Sequence, residues 1–323
     1  MLYPIKNHLD GMKLNKPLNV SIAGLEFSSP LILASGVLGV SPPTMHILAD
    51  YGMGGITTKS IGPVKRKGYP NPSIIGLGND TFLNAVGLAN PGIERFAHEI
   101  TEIKKKEGLV VIVSVFGENA SDFARVASLA ENAGADAIEI NISCPHAEVS
   151  SIGVDPKITF EYVRAVKKAI HCPLLVKLTP NVTDIVKIGK SAEKAGADAL
   201  VAINTVSGLA IDINTHRPIL SHGIGGLSGK AIKPIGLKHV FNLSKAVSIP
   251  IIGCGGIFNY EDVVEYFLAG ASAVQLGSCL YYGYDIITKI HDNLIRYLDT
   301  HDLNSISELT GLSHKYKEIG FSD

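Results

Sequence analysis

Residues 133–146 read Ala-Gly-Ala-Asp-Ala-Ile-Glu-Ile-Asn-Ile-Ser-Cys-Pro-His. The first five close a helix with glycine, which takes the left-handed conformation without a Cβ penalty, and then enter a strand. In that strand Ile138, Ile140 and Ile142 alternate with Glu139 and Asn141, a period of two in β-branched residues. Pro145 cannot donate a ladder hydrogen bond, so the strand stops there. A thiol, Cys144, is thus delivered on a loop at the carboxyl end of a strand, three residues after Asn141. A free cysteine taken at random is most often packing. The strand end, the following proline and the glycine- and serine-bearing loop 147–156, long enough to close as a lid, favour chemistry here.

The helix-stop-then-strand signature recurs at Ala195-Gly196-Ala197-Asp198-Ala199 and at Ala269-Gly270-Ala271-Ser272-Ala273. Around these marks the pattern strand, loop, helix runs through the chain. Strands are expected over 31–34, 55–60, 110–115, 137–142, 174–178, 199–203, 249–253 and 273–276. Helices are expected over 42–51, 92–107, 121–133, 157–170, 234–247 and 260–269, and again through about 298. A further helix is capped by Thr183, with Asp184 in its first turn. Residues 61–91, rich in Gly, Pro and Asn, and residues 206–230 are too long for idle connectors and read as functional loops. Eight strand–helix units argue for an α/β fold, a (β/α)8 TIM barrel with long loops at its carboxyl-end face, residues 1–323 forming one domain. The competing doubly wound open sheet, in its nucleotide-binding version, would carry G-x-G-x-x-G after the first strand, and none is present.

Composition narrows the function. The hydrophobic fraction of 46% supports a large core, and 29 basic against 30 acidic residues without a long like-charge run argue against nucleic-acid binding. No apolar run reaches the roughly 18 residues of a membrane span. Residues 1–16 lack the apolar core of a signal peptide, so a soluble, cytoplasmic protein is expected. Cys144, Cys172, Cys254 and Cys279 are scattered, which argues against a zinc site or an iron–sulfur cluster on this chain and suits a reducing compartment.

In a barrel of this kind the site lies where the strands end. Those ends offer Ser35, Lys59, Ser60, Ser114, Asn141, Cys144, Lys177, Asn204 and Thr205. Lys59 and Lys177 sit in apolar strands, where lysine is rarely buried without a partner. Each either snorkels or pairs with a carboxylate, or is held beside an anionic ligand. Gly255-Gly256 and Gly277-Ser278 close the last two strands. With Gly229 they suggest a phosphate cradle of backbone amides, although glycine there is also ordinary turn chemistry. Asn84, Asn141, Asn204 and Thr205 would present amides and a hydroxyl to a small, planar, polar ligand.

Taken in order, Ala34-Ser35-Gly36, Thr57-Thr58-Lys59-Ser60, 84–92, Asn141-Ile142-Ser143-Cys144-Pro145, 176–184, Ile203-Asn204-Thr205, 225–234 and 253–256 resemble the FMN-dependent dihydroorotate dehydrogenases, over about residues 20–280. The resemblance implies an FMN over the barrel mouth. Its phosphate would meet Gly255, Gly256, Gly277 and Ser278, with Gly229 nearby. Ser35, Lys59, Ser60, Asn141, Lys177 and Ile203 would contact the rest of the cofactor. Dihydroorotate would be held by Lys59, Asn84, Ala85, Val86, Gly87, Leu88, Asn141, Asn204 and Thr205. Cys144 would remove the C5 proton while hydride passes from C6 to flavin N5, giving orotate for pyrimidine (UMP) biosynthesis. Lys177 would stabilise the negative charge of the reduced flavin.

A cysteine base resembles the soluble class, and within it the NAD-linked subgroup. That subgroup works with a second subunit carrying FAD and a 2Fe–2S cluster. A homodimer or heterotetramer is expected; a direct soluble acceptor such as fumarate is the alternative to the partner subunit. Two positions depart from the pattern. His146 follows Ser-Cys-Pro where asparagine is common, and Ser114 stands where the subgroup offers asparagine to FMN. His146 and the run 204–209 are shared with the pyrimidine-reducing domain of dihydropyrimidine dehydrogenases, so reduction of uracil or thymine is the rival activity. A flavin-free Schiff-base lyase using Lys177 and a non-catalytic binding barrel are readings from other classes.

Overall fold

The computed structural model describes residues 18–142 and 153–315. Eight parallel strands close into a barrel: β1 (Leu31–Leu33), β2 (Gly55–Thr57), β3 (Val110–Val115), β4 (Ala137–Asn141), β5 (Leu174–Leu178), β6 (Ala199–Ala202), β7 (Ile251–Cys254) and β8 (Ala273–Leu276). Each strand pairs with its sequence neighbours, and β8 returns to β1 through Leu276 and Leu33. The helices alternate with them: α1 (Pro42–Asp50), α2 (Ile93–Ile103), α3 (Ala120–Asn132), α4 (Pro156–Ala169), α5 (Ile185–Ala195), α6 (Lys233–Ser244), α7 (Tyr260–Leu268) and α8 (Asp285–Thr300). Every residue of β3 is buried, as expected when one face meets the helices and the other the barrel interior. The alternation in β4 therefore does not separate core from water. Glu139 is fully buried, so the strand's polar residue lies inside the barrel.

The repeated signature has a structural meaning. Gly134, Gly196 and Gly270 all take the left-handed conformation, with φ of 105°, 105° and 108°. The residue two places on turns the chain into the next strand. The backbone N–H groups of Asp136, Asp198 and Ser272 donate to the carbonyls of Val111, Leu174 and Ile251. In the first two copies the carboxylate also works: Asp136 accepts from Val111 N at 2.8 Å, and Asp198 from Leu174 N at 2.7 Å. Lys104 and Lys167 complete these clamps at 2.7 and 2.6 Å.

Two expectations need correction. Asp184, not Thr183, caps α5, its carboxylate accepting from Val186 N and Lys187 N. Thr183 and Asp184 are both good caps, and the backbone bonds choose between them. The segments 61–91 and 206–230 are not plain loops. They contribute Ile74–Gly78, Thr81–Asn84, Val206–Gly208 and Gly225–Gly229 to one four-stranded antiparallel sheet, with Asn84 opposite Gly226. Glycine-rich strands carry no period-two signal, and Gly225–Gly229 pairs with Thr81–Asn84, far away in sequence. At the opposite end, the hairpin Val20–Ile22 and Leu25–Phe27 packs the Phe27 ring on Gly55 at the start of β2, where a Cβ would come within 2.7 Å of it.

Replacing Asp198 with Ala should remove a charge-assisted bond to a strand N–H and lower unfolding free energy by roughly 1–3 kcal/mol. Denaturant titration in high salt checks it. The loss should persist there, because the backbone bond to Leu174 N is less screened by salt than the partly exposed ion pair with Lys167.

Candidate active site

The carboxyl ends of the strands carry a connected set of polar side chains. Ser35, just after β1, and Ser60, just after β2, place their hydroxyls 3.4 Å apart. Ser60 Oγ lies 2.9 Å from Ser114 Oγ of β3 and accepts from Asn141 Nδ2 of β4 at 3.1 Å. Asn204, just after β6, donates through Nδ2 to Asn141 Oδ1 at 3.3 Å, and its own Oδ1 accepts from Thr205 N. Five strand ends are thus joined by hydroxyls and amides. Ser114, at the departure position, is fully buried and has its hydroxyl beside that of Ser60.

The added sheet attaches to this rim. Asn84 Nδ2 donates to Gly226 O at 3.1 Å, and a Cβ on Gly226 would strike the Thr205 side chain. The loop after Asn84 is held by Asn90, a buried residue not singled out in the sequence. Its Oδ1 accepts from Gly62 N and Gly92 N, and its Nδ2 donates to Leu88 O. Gly87 and Leu88 both have positive φ, 74° and 54°, and a Cβ on Gly87 would meet the Tyr69 ring. Ala85 packs with Leu83 and Leu220, and the Val86 carbonyl accepts from Tyr69 N.

Gly255 and Gly256 end β7 with φ of 125° and 70°. Tyr266 of α7 supports this turn by donating its hydroxyl to Gly255 O at 2.7 Å, while its ring fills space left by Gly253. Gly277 and Ser278 follow β8 and lead into the 3-10 helix Ser278–Tyr282. Gly229 ends the last strand of the added sheet. Lys230 next to it reaches over the Phe258 ring, beyond Gly256, at 5.2 Å. Phe258 in turn faces Tyr282 of that 3-10 helix, ring centroids 6.5 Å apart, so the three glycine sites belong to one corner of the rim.

Below the rim, Lys177 of β5 is 4% exposed. Its Nζ donates to Gln275 Oε1 of β8 at 2.8 Å. Gln275 Nε2 donates to Glu139 Oε2 of β4 at 2.7 Å and lies 3.2 Å from Thr57 Oγ1 of β2. Thr57, Glu139 and Gln275 come from even-numbered strands, as one interior layer of such a barrel requires, and Lys177 reaches into that layer. Of the lysine's readings the structure bears out the pairing with a carboxylate: Glu139 Oε1 stands 4.0 Å from its Nζ. Glu139 and Gln275 were missed in sequence, although a charge between Ile138 and Ile140 carries the signal used for the lysines.

Lys59 is half-buried, and burial pushes its ammonium below the ordinary lysine range. Among the described residues no carboxylate pairs with it, which suits a cation awaiting an anion. Ile203 is buried, with its N–H donated to Cys254 O at 2.8 Å. Cys144, with Pro145 and His146, lies outside the described residues. Burial raises all three described thiols, Cys172 and Cys279 to about 12, so none is a ready thiolate. No group of three metal-ligating side chains occurs among the described residues, and no helix there is long and apolar enough to cross a membrane.

Comparison with known proteins agrees with this arrangement. The family model described as dihydroorotate dehydrogenase matches residues 17–298. The catalytic subunit of dihydroorotate dehydrogenase B (NAD(+)) from Methanocaldococcus jannaschii is 45% identical over 304 residues, covering 92% of this chain and 98% of that relative. Its counterpart from Pyrococcus horikoshii is 46% identical over 305 residues, covering 94% and 99%. A crystal structure of DHODH in complex with ferulenol from Eimeria tenella superposes with a TM-score of 0.83 at 22% identity, over 97% of this chain and 92% of the other, a likeness of fold. On the family match and these near full-length relatives, the chain belongs to the dihydroorotate dehydrogenase family.

Proposed function

We propose that this protein oxidises dihydroorotate to orotate in pyrimidine (UMP) biosynthesis, with FMN as its cofactor, as the catalytic subunit of an NAD-linked enzyme. The observation that carries the reading is the buried Lys177 ammonium beneath a rim of hydroxyls and amides, in a chain of this family.

The rim's chemistry fits FMN. The positive-φ turn at Gly255 and Gly256, beside Gly229 and the start of the 3-10 helix at Ser278, leaves backbone amides free of Cβ crowding for a phosphate. Ser35, Ser60, Asn141 and the Ile203 backbone would line the polar edge of the ring system. Glu139 Oε1 is buried with no hydrogen-bond donor among the described residues, and Lys177 is the adjacent cation, so the interior is poised for a charge change above it. Bound FMN would supply the two-electron acceptor.

The chain's own groups do the rest. Lys59 would hold the substrate carboxylate; its partial burial strengthens that attraction. Asn84, Asn141, Asn204 and Thr205 would fix the planar ring by hydrogen bonds, with 85–88 forming one wall. Cys144, following β4 by three residues, would take the C5 proton. Lys177 would face the developing negative charge. The relatives named as catalytic subunits of the NAD-linked enzyme support electrons leaving through a partner subunit, which would bear FAD and a 2Fe–2S cluster. A cytoplasmic location fits the balanced charge and the scattered thiols.

Reduction of uracil or thymine remains motivated by His146 and the run 204–209. The relatives at 45–46% identity favour dihydroorotate. Purified, FMN-loaded protein given dihydroorotate and a dye acceptor should bleach the dye; turnover of dihydrouracil in its place would overturn the reading. A colourless protein that borohydride traps on its substrate would indicate a lyase instead.

Three substitutions and two pH dependences test the site. Cys144→Ser should lower kcat by roughly 10²–10⁴, the usual share of a general base. The wild-type rate should rise with pH toward the ordinary thiol range, about 8.5, and stopped-flow reduction across pH checks both. Lys59→Ala should raise KM for dihydroorotate more than tenfold. With its ammonium depressed by burial, the wild-type KM should also climb at a lower alkaline pH than an exposed lysine would dictate. Tyr266→Phe removes one bond to the Gly255 carbonyl, worth about 1 kcal/mol, and should weaken FMN binding about fivefold in a fluorescence titration.

A further inference from the structure

The interior layer beneath the rim is more than structural packing. Glu139 is fully buried and one of its oxygens has no hydrogen-bond donor among the described residues. An incompletely satisfied buried carboxylate is destabilising and is retained where a function needs it. Its one cation among the described residues, Lys177, is not in direct contact: Nζ stands 4.0 Å from Glu139 Oε1. Gln275 is interposed between them. Its Oε1 accepts from Lys177 at 2.8 Å and its Nε2 donates to Glu139 at 2.7 Å, so both ends of the amide are assigned by their partners. Thr57 Oγ1, 3.2 Å from the same nitrogen, helps fix the amide plane.

We infer that Glu139 and Gln275 are positioning residues that set the reduction potential of the bound flavin through Lys177, Glu139 as a counter-charge and Gln275 as the spacer that prevents the ion pair from closing. The inference rests on the FMN reading above. Opposite charges a few ångströms apart in a low-dielectric interior largely cancel each other's field at a third site. Closing the Lys177–Glu139 gap would quench the positive field at the rim, and removing the Glu139 charge would leave it unopposed. The spaced pair holds the potential between these limits, and neither residue needs to touch flavin or substrate to do so.

The two halves of the layer therefore predict shifts of opposite sign. Glu139→Gln keeps the side-chain volume and removes the negative charge. Reduced FMN should then bind at least tenfold more tightly relative to oxidised FMN than in wild type, equivalent to about 30 mV upward for a two-electron couple. Gln275→Met lets the ammonium close on the carboxylate, and the potential should fall by a similar amount. Spectroelectrochemical titration of the FMN-loaded variants, with stopped-flow kcat and KM for dihydroorotate, provides the readout; KM should move less than kcat. Unchanged potentials, or shifts of the same sign in both variants, would overturn the inference. If Glu139→Gln does not fold, Gln275→Met decides alone: a downward shift supports it, and no shift or an upward one rejects it. Wild-type protein that binds no FMN or leaves dihydroorotate unoxidised would instead refute the functional reading.

Discussion

An ammonium inside a closed β-barrel is the constraint around which this site is arranged. The interior of such a barrel is a packed core, and an isolated charge there is strongly disfavoured. Lys177 is tolerated because Glu139 reaches it from the adjacent strand β4 and Gln275 from β8, across the barrel. That solution requires closure. Only when β8 pairs with β1 and β5 with β6 do residues 98 positions apart come within hydrogen-bond range. The barrel's hydrogen-bonded ring and the charge at its centre thus depend on each other, and the chemistry at the rim depends on both.

The scaffold that closes the ring is built by repetition. A left-handed glycine stops the helix, and an acidic residue or serine then ties the next strand to the one before it. In two copies the carboxylate bonds a strand N–H and a lysine from a preceding helix. These clamps lie at the starts of the strands, opposite the face carrying the site. Stability is concentrated at one end of the barrel and chemistry at the other, a division typical of this architecture.

The second sheet shows how glycine-rich segments acquire structure. Residues 225–229 are paired with 81–84, and the pairing carries Asn84 to Gly226 and Gly226 to Thr205. A side chain on Gly226 would strike Thr205, and one on Gly229 would collide with the Asp80 carbonyl. Glycine is needed at these points for close approach of backbones. Tyr266 plays the complementary part on α7, filling the space that Gly253 leaves and holding the Gly255 carbonyl.

Much was legible in the chain itself. Strand ends, helix stops and the eightfold alternation follow from local rules: β-branched periodicity, glycine's freedom at φ > 0 and proline's missing N–H. These place Ser35, Lys59, Ser60, Asn141, Asn204 and the glycines at one face, and the structure joins the serines and asparagines among them by hydrogen bonds. Local rules also located two lysines where lysine does not belong. They could not say what Lys177 meets, that the cap of α5 is Asp184, or that residues 206–230 form strands, because each is decided by groups brought together only after the chain closes. Glu139 reads in sequence as the polar member of an alternating strand. Only the closed barrel, by excluding water from both faces of that strand, turns it into a buried charge with its counter-ion, Lys177, on the neighbouring strand.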